Sequence, residues 1–289
     1  MSEPRGQEEA TLDAAAEAPP VYLDARRELA AHFLAGEGLE IGPLHQPLTL
    51  PPNAKARYVD RMVVDDLRRE YPELATWNLT QVDVVDDGEK LLTIADESQD
   101  FIVANHFLEH CENPIRTIET HLAKLKPGGV LFYAVPDKRY TFDFRRPVTP
   151  LEHMIADYEE GPESSRAEHY EQWTRLVIID GEETEEQTIA RARELEAAAY
   201  SIHMHVWTQA EFLQLILACR ERLGETFDIE ASARQAIEYM VVLRKRGAYP
   251  TPSAPAPAPA SHERLVQRAE RVGIRLIDRG RSAWRRRRG

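Results

Sequence analysis

The chain has 289 residues, 43% of them hydrophobic, and a formal net charge of −13; these values suit a folded protein with a sizeable core and exclude a wholly disordered one. No apolar run reaches the roughly 18 residues that a membrane span needs, and the N-terminal residues do not resemble a secretory signal. Cys111 and Cys219 are too few for a disulfide framework, so we predict a cytoplasmic protein.

The charge is distributed unevenly along the chain. Residues 262–289 contain ten Arg and three acidic side chains, a net charge of +7, so the rest of the chain carries −20. The acidic body argues against nucleic acid as the main partner. We expect the basic amphipathic tail, 262–289, to mediate self-association or peripheral contact with an anionic membrane at its inner surface. Nucleic-acid binding by the tail stays open as an alternative.

The first half of the chain alternates between helical and strand patterns. Residues 1–20, rich in Ala, Glu and Pro, predict a disordered start. Short apolar runs without alternation predict strands that are buried on both faces, and Asn113-Pro114 is typical of a helix start. The predicted helices lie at 21–34, 63–71 and 113–125, and the predicted strands at 39–41, 58–59, 82–85, 101–104 and 130–135.

Strands that alternate with helices predict an α/β fold with a doubly wound, mostly parallel sheet. Residues 147–200 interrupt this order with an acidic, helical insertion, which is either a lid over a substrate or a solvated surface. The order resumes with a helix at 209–223 and strands at 226–230 and 239–243. The predicted divisions are a start at 1–20, a main domain at 21–246, a stiff Pro/Ala linker at 247–261 and the tail at 262–289.

The first predicted strand ends in an acidic residue and a glycine, Glu40 and Gly42. In a parallel sheet this pattern indicates a nucleotide-type site, because glycine lets a ligand approach the backbone closely. Asp60 lies 20 residues after Glu40, near the interval expected for a carboxylate that binds a ribose diol. On these residues alone, a surface turn is an equally good interpretation.

Five segments in their order and spacing resemble the class I S-adenosylmethionine-dependent methyltransferases, and most closely the small-molecule branch with a Leu-Glu-His triplet after the fourth strand. They are Leu39–Gly42, Tyr58–Asp60, Asp87–Leu91, Asp100–His110 and Leu125–Gly129. The resemblance covers residues 21–145 and, more loosely, 205–246. It implies a seven-stranded Rossmann-like methyltransferase fold and S-adenosyl-L-methionine as the cofactor.

The resemblance implies that Glu40 and Gly42 face the methionine portion of the cofactor and that Asp60 binds the ribose hydroxyls. The first loop departs from the family pattern, because Pro43 and Pro47 follow Gly42 in place of further glycines. These prolines and the short interval to Asp60 leave little room for the usual first helix. We therefore expect cofactor binding that is altered but retained.

The resemblance also assigns residues at the ends of the third and fourth strands. Asp87 and Gly88 would lie beside the adenine, with Asp87 contacting its exocyclic amine. Asn105 and His106 would line the cofactor near its sulfonium. Most of these positions fall at the carboxyl ends of strands, where open α/β sheets bind ligands.

A hydroxyl or amine acceptor often needs a base to take its proton, and His suits this role near neutral pH. The candidates are His106 and the pair His203 and His205, which share a face if the segment is extended. The pair could also bind a metal, but no third ligand has a convincing spacing, so we expect no metal. We expect His110 of the triplet to hold its loop by hydrogen bonds.

The resemblance therefore implies a methyltransferase, and we expect it to act on a small-molecule or glycan-like acceptor at a hydroxyl. Two alternatives remain at this point: a nucleic-acid methyltransferase that uses the tail, and a non-catalytic cofactor-binding or scaffold protein. Residues 137–140, after the fifth strand, are either a substrate contact or a solvated turn.

Overall fold

Seven strands form the sheet at the centre of the fold, seen here in a computed structural model. They are β1 (Gly36–Ile41), β2 (Ala54–Asp60), β3 (Val84–Val85), β4 (Gln99–Asn105), β5 (Leu125–Pro136), β6 (Phe227–Gln235) and β7 (Glu238–Lys245). Their order is β3-β2-β1-β4-β5-β7-β6; β1 to β5 run parallel, and β7 lies antiparallel between β5 and β6. The predicted mostly parallel, doubly wound sheet is confirmed.

The structure describes residues 22–72, 76–178 and 183–247, with side chains from residue 25 onward. All of them belong to the first of the two units into which the chain divides, Met1–Gly247. The predicted start at 1–20, the linker after Gly247 and the tail at 262–289 lie outside the described residues. Among the described helices, none is long and apolar enough to cross a membrane.

Helices cover the sheet and fill the insertion. They are α1 (Tyr22–Phe33), α2 (Val64–Glu70), α3 (Pro114–Lys124), α4 (Leu151–Glu160), α5 (Arg166–Trp173), α6 (Glu185–Ala197) and α7 (Gln209–Arg222). The predicted helix start at Asn113-Pro114 is correct, because the Asn113 side chain accepts a hydrogen bond from the N–H of Arg116 at 2.9 Å. Three of the helices, α4 to α6, lie in the acidic stretch that was predicted to be a helical insertion.

Side chains alternate between the two faces of the sheet, and both faces are buried. On one face, Ile102 and its neighbours pack with α3, α4 and α7. On the other, Phe101 packs with α1 and with Leu48 of the loop at 42–53. This loop joins β1 to β2 and contains no helix, as its prolines predicted. It thus takes the place of a crossover helix on that face.

The closest approach of β1 and β4 depends on Gly38. A Cβ at this position would lie 2.3 Å from the carbonyl oxygen of its partner residue, Phe101. We expect Gly38→Ala to lower the free energy of unfolding by about 2 kcal/mol or more, since two central strands would have to separate. Urea unfolding measures this. Glu37→Ala, an exposed position on the same strand, is the control, and equal stability of the two variants would contradict the packing argument.

Candidate active site

Glu40 is an almost fully buried carboxylic acid at the end of the central strand β1. Its Oε1 accepts a hydrogen bond from the N–H of Leu48 at 2.8 Å. Its Oε2 is also buried and has no hydrogen-bond partner among the described residues. Burial raises the pKa of Glu40 to about 7, against the smaller opposing effects of the Leu48 hydrogen bond and the Arg26 charge. The free oxygen is therefore suited to a cationic or hydrogen-donating ligand.

The two predicted glycines differ in what surrounds them. Gly42 has a φ of +61°, which favours glycine, and open space where a Cβ would lie, so a ligand could approach its backbone. A Cβ on Gly88 would lie 2.6 Å from Phe107 and 2.7 Å from Ile41. Gly88 is therefore required for packing beside the end of β1, in addition to any contact with a ligand.

The predicted carboxylates on β2 and after β3 lie at the same edge of the sheet. Asp60 ends β2, and its Oδ1 accepts a hydrogen bond from the N–H of Arg61 at 2.7 Å, while burial raises its pKa. Asp87 accepts hydrogen bonds from the N–H of Glu89 at 2.9 Å and from Lys90 Nζ at 2.6 Å. Asp87 is thus half-exposed and paired with Lys90, whereas Asp60 is buried and bonded by backbone N–H groups.

Asn105 is the last residue of β4, and His106 follows it directly. Both side-chain amide atoms of Asn105 are buried without hydrogen-bond partners in the described part of the chain. His106 has a φ of +50°, a strained backbone for a residue other than glycine. Its Nε2 lies 2.7 Å from Glu238 Oε2, and the other oxygen of Glu238 accepts from Arg26 Nε at 2.7 Å. Burial tends to raise the pKa of Glu238, but His106 and Arg26 outweigh this effect and hold the pKa below its usual value.

His203 forms a buried hydrogen bond with Asp143. Its Nδ1 lies 2.6 Å from Asp143 Oδ2, and Arg146 donates to the other oxygen of Asp143 at 2.9 Å. Burial tends to raise the pKa of Asp143, but His203 and Arg146 outweigh it and hold that pKa below the usual range. The neighbouring His110 bonds the carbonyl of Ile202 at 2.9 Å through Nδ1 and so holds this segment. Burial lowers the pKa of His110 to about 3, which leaves its ring neutral.

His205 lies in a different environment from His203. Its ring is fully buried, its Nε2 lies 3.3 Å from the carbonyl oxygen of Glu112, and it contacts the rings of His153 and His169. The expectation that His203 and His205 share a face is therefore corrected, since their rings have different partners. His205 has no exposed atom with which to reach an acceptor, so His106 and His203 are the remaining candidate bases.

One family profile, described as a methyltransferase domain, matches residues 15–216. The chain belongs to this family. The match confirms the resemblance to class I S-adenosylmethionine-dependent methyltransferases and, with it, the enzyme class and the cofactor S-adenosylmethionine. No curated protein matches this methyltransferase significantly.

Solved structures of three methyltransferases are similar to this one at low identity. N-methyltransferase NodS from Bradyrhizobium japonicum WM9, in complex with S-adenosyl-L-homocysteine, is 14% identical over 78% of this chain and 86% of its own, with a TM-score of 0.41. An O-methyltransferase family protein from Burkholderia thailandensis is 11% identical over 78% and 56%, with a TM-score of 0.43. CurJ carbon methyltransferase is 10% identical over 74%, with a TM-score of 0.38, and this chain spans 50% of its length.

The residues at the carboxyl edge of the sheet fit this cofactor. The unpartnered Oε2 of Glu40 and the unpartnered amide of Asn105 lie on the same sheet face, because Glu40 is in register with Val103 and Asn105 lies two residues further along β4. Buried polar atoms normally have partners, so these atoms are suited to the polar groups of a bound molecule.

Several polar partners in the site were not identified from the sequence. Asp143, Arg146 and Glu238 pair with His203 or His106. The first two stand three residues apart in the sequence, and opposite charges at that spacing were a usable signal. Glu238 begins β7, and only the order of the strands brings it next to His106.

The raised pKa of Glu40 makes the stability of the methyltransferase depend on pH. Because the folded-state pKa of about 7 exceeds the unfolded value of 4.5, the stabilising effect is complete below 4.5 and is lost as the pH rises through 7. We expect Glu40→Gln to be the more stable protein at pH 8, by up to about 3 kcal/mol, and to equal the wild type at low pH.

Urea unfolding of the cofactor-free protein between pH 4.5 and pH 8 measures this difference. Glu37→Gln, an exposed acid on the same strand, should leave the pH profile unchanged. A stability difference between Glu40→Gln and wild type that does not vary with pH would contradict the assignment.

Proposed function

We propose that this methyltransferase transfers a methyl group from S-adenosylmethionine to a hydroxyl of a small-molecule or glycan-like acceptor, with His203 as the base. The observation that carries the proposal is the buried pair of His203 and Asp143, 2.6 Å apart. A carboxylate on Nδ1 fixes the tautomer of the ring and leaves Nε2 to accept a proton.

S-adenosylmethionine, when bound, supplies an activated methyl group on a sulfonium that is a good leaving group. The protein then has to bind and orient the two reactants and to exclude water from them. In the proposed arrangement Glu40 faces the methionine ammonium through its unpartnered Oε2, beside Gly42, and Asp60 binds the ribose hydroxyls. Asp87 and Gly88 lie beside the adenine, and Asn105 and His106 line the sulfonium end.

A hydroxyl acceptor explains why a histidine base would be needed. A hydroxyl group is a weak nucleophile until its proton is removed, and a positioned imidazole typically contributes about 10²- to 10⁴-fold to such a step. Arg146 supports this role, because it keeps Asp143 ionised and donates to the backbone carbonyl of His203 at 2.7 Å. The base thus has both its charge partner and its backbone position fixed.

His106 is the second candidate base. It is more exposed than His203, with 36% of its side chain accessible against 11%. Its Nε2 is engaged by Glu238, and its Nδ1 lies 3.6 Å from Glu109 Oε1. Since both of its ring nitrogens face carboxylates, we favour His203 for proton removal and His106 for positioning.

Cofactor binding tests the proposed role of Asp60. We expect Asp60→Ala to abolish S-adenosylmethionine binding and Glu40→Gln to weaken it by about 10- to 100-fold. Each change removes a carboxylate whose hydrogen bonds to the cofactor no neighbouring group would replace. Isothermal titration measures both. Asp65→Ala, an exposed acid on α2, is the matched control, and wild-type affinity in Asp60→Ala would overturn the assignment.

Turnover tests the base. We expect His203→Ala to lower kcat by at least about 100-fold while S-adenosylmethionine affinity stays unchanged, and Asp143→Asn to have a smaller effect of the same kind. Formation of S-adenosylhomocysteine with a panel of phenol and sugar acceptors measures this. His32→Ala, an exposed histidine on α1, is the control. Full turnover by His203→Ala, with loss in His106→Ala, would transfer the role to His106.

A further inference from the structure

Four side chains in the insertion and the segment after it converge on one point. His153 and Asp157 lie four residues apart on α4, His169 lies on α5, and His205 follows in the extended segment 201–207. One nitrogen or oxygen of each lies within 4.8 Å of the corresponding atoms of the others. This convergence joins residues that are up to 52 positions apart in the sequence.

Two distances within this cluster are close to those between ligands of a single ion. His153 Nε2 lies 2.9 Å from His169 Nε2 and 3.2 Å from Asp157 Oδ2. In a tetrahedral zinc site with bonds of about 2.0 to 2.1 Å, neighbouring ligand atoms are about 3.3 Å apart. The four ligand atoms all lie within 4.8 Å of one another, so an ion would have to draw the more distant ones closer.

One of the four atoms has no hydrogen-bond partner in the described part of the chain. His205 Nδ1 is buried and unpartnered, although polar groups surround it. Asp157 Oδ2 is buried as well and faces His153 Nε2 at 3.2 Å. A buried nitrogen without a partner is costly unless something binds it. A hydrogen-bonded network of His153, Asp157 and His169 would leave His205 Nδ1 unsatisfied.

The other ring nitrogen of His205 and the other carboxylate oxygen of Asp157 form hydrogen bonds outside the cluster, as the second atoms of metal ligands usually do. His205 donates through Nε2 to the carbonyl oxygen of Glu112 at 3.3 Å, which directs the lone pair of Nδ1 at the cluster. Asp157 Oδ1 accepts from Ser165 Oγ at 2.7 Å, which leaves Oδ2 for the cluster. Such outer hydrogen bonds fix the tautomer and orientation of ligands in metal sites.

We propose that His153, Asp157, His169 and His205 bind one divalent zinc ion. Three imidazoles and one carboxylate suit zinc and disfavour magnesium and calcium, which prefer oxygen ligands. Four protein ligands fill a tetrahedral shell, so the ion is structural and takes no part in methyl transfer. The side chain of His153, 26% exposed, gives the ion a path from solvent.

The ion joins three segments of the chain on the side of the proposed base. It ties α4 to α5 and both to the segment 201–207, which also carries His203. Asn113, which caps α3, donates to the carbonyl oxygen of Asp157 at 2.7 Å and connects the site to the sheet core. Zinc therefore fixes the insertion on the core. It also fixes the position of His203, which lies two residues before His205.

Metal analysis of the full chain, purified without a histidine tag, tests the proposal. We expect about one zinc per chain in the wild type and, after exchange, the visible absorption of tetrahedral Co²⁺. His153→Ala and Asp157→Asn should each lower zinc affinity at least 100-fold, and Ser165→Ala, outside the ligand set, by about 10-fold. His32→Ala, on exposed surface, should bind zinc as the wild type does.

Three results would overturn the proposal. The first is a wild-type protein that neither contains zinc nor gives the Co²⁺ absorption after metal addition. The second is unchanged zinc affinity in Asp157→Asn and Ser165→Ala. The third is a loss of zinc binding in His203→Ala alone. The last result would assign the ion to the group of Glu109, His110 and His203. Titration with S-adenosylmethionine on the same preparations separates failure of the zinc proposal from failure of the proposed function.

Discussion

The arrangement of the residues around His203 depends on one buried guanidinium group, that of Arg146. It is almost fully buried, and it donates to Asp143 at 2.9 Å, to the backbone carbonyls of His203 at 2.7 Å and Met204 at 3.1 Å, and to Gln172 on α5 at 3.0 Å. A buried guanidinium is costly unless its donors are paired, so these four contacts must form together. The turn after β5, the insertion and the segment 201–207 are thereby held in one arrangement.

The polar atoms on the two sides of the site differ in their pairing. On the side of β1, β2 and β4, Glu40 Oε2 and the amide atoms of Asn105 are buried without partners in the described part of the chain. On the side of the insertion, Asp143 is paired with both His203 and Arg146. In the proposed function, the first side binds the cofactor and the second acts on the acceptor.

The sequence predicted the seven strands and the helix start at Asn113, because these follow from local patterns. The apolar run of β4 and the Asn113 cap are such local signals, and so is the proline-rich loop that contains no helix. It did not predict that His203 and His205 would join different clusters, because their partners come from α4, α5 and the turn near Asp143. Nor does any local pattern distinguish the buried Arg146 from its exposed neighbour Arg145.

A loop without a helix follows β1, and this affects the electrostatics at the proposed cofactor site. A helix that begins at this point would offer unpaired N–H groups and the positive end of its macrodipole to an anion. In the loop at 42–48, two residues are prolines, and the N–H groups of Gly42, Gln46 and Leu48 are already engaged. In the proposed arrangement, the carboxylate of the methionine portion would meet a weaker positive field here than a helix would supply. More of the binding free energy would then come from contacts with the ammonium, the sulfonium and the ribose.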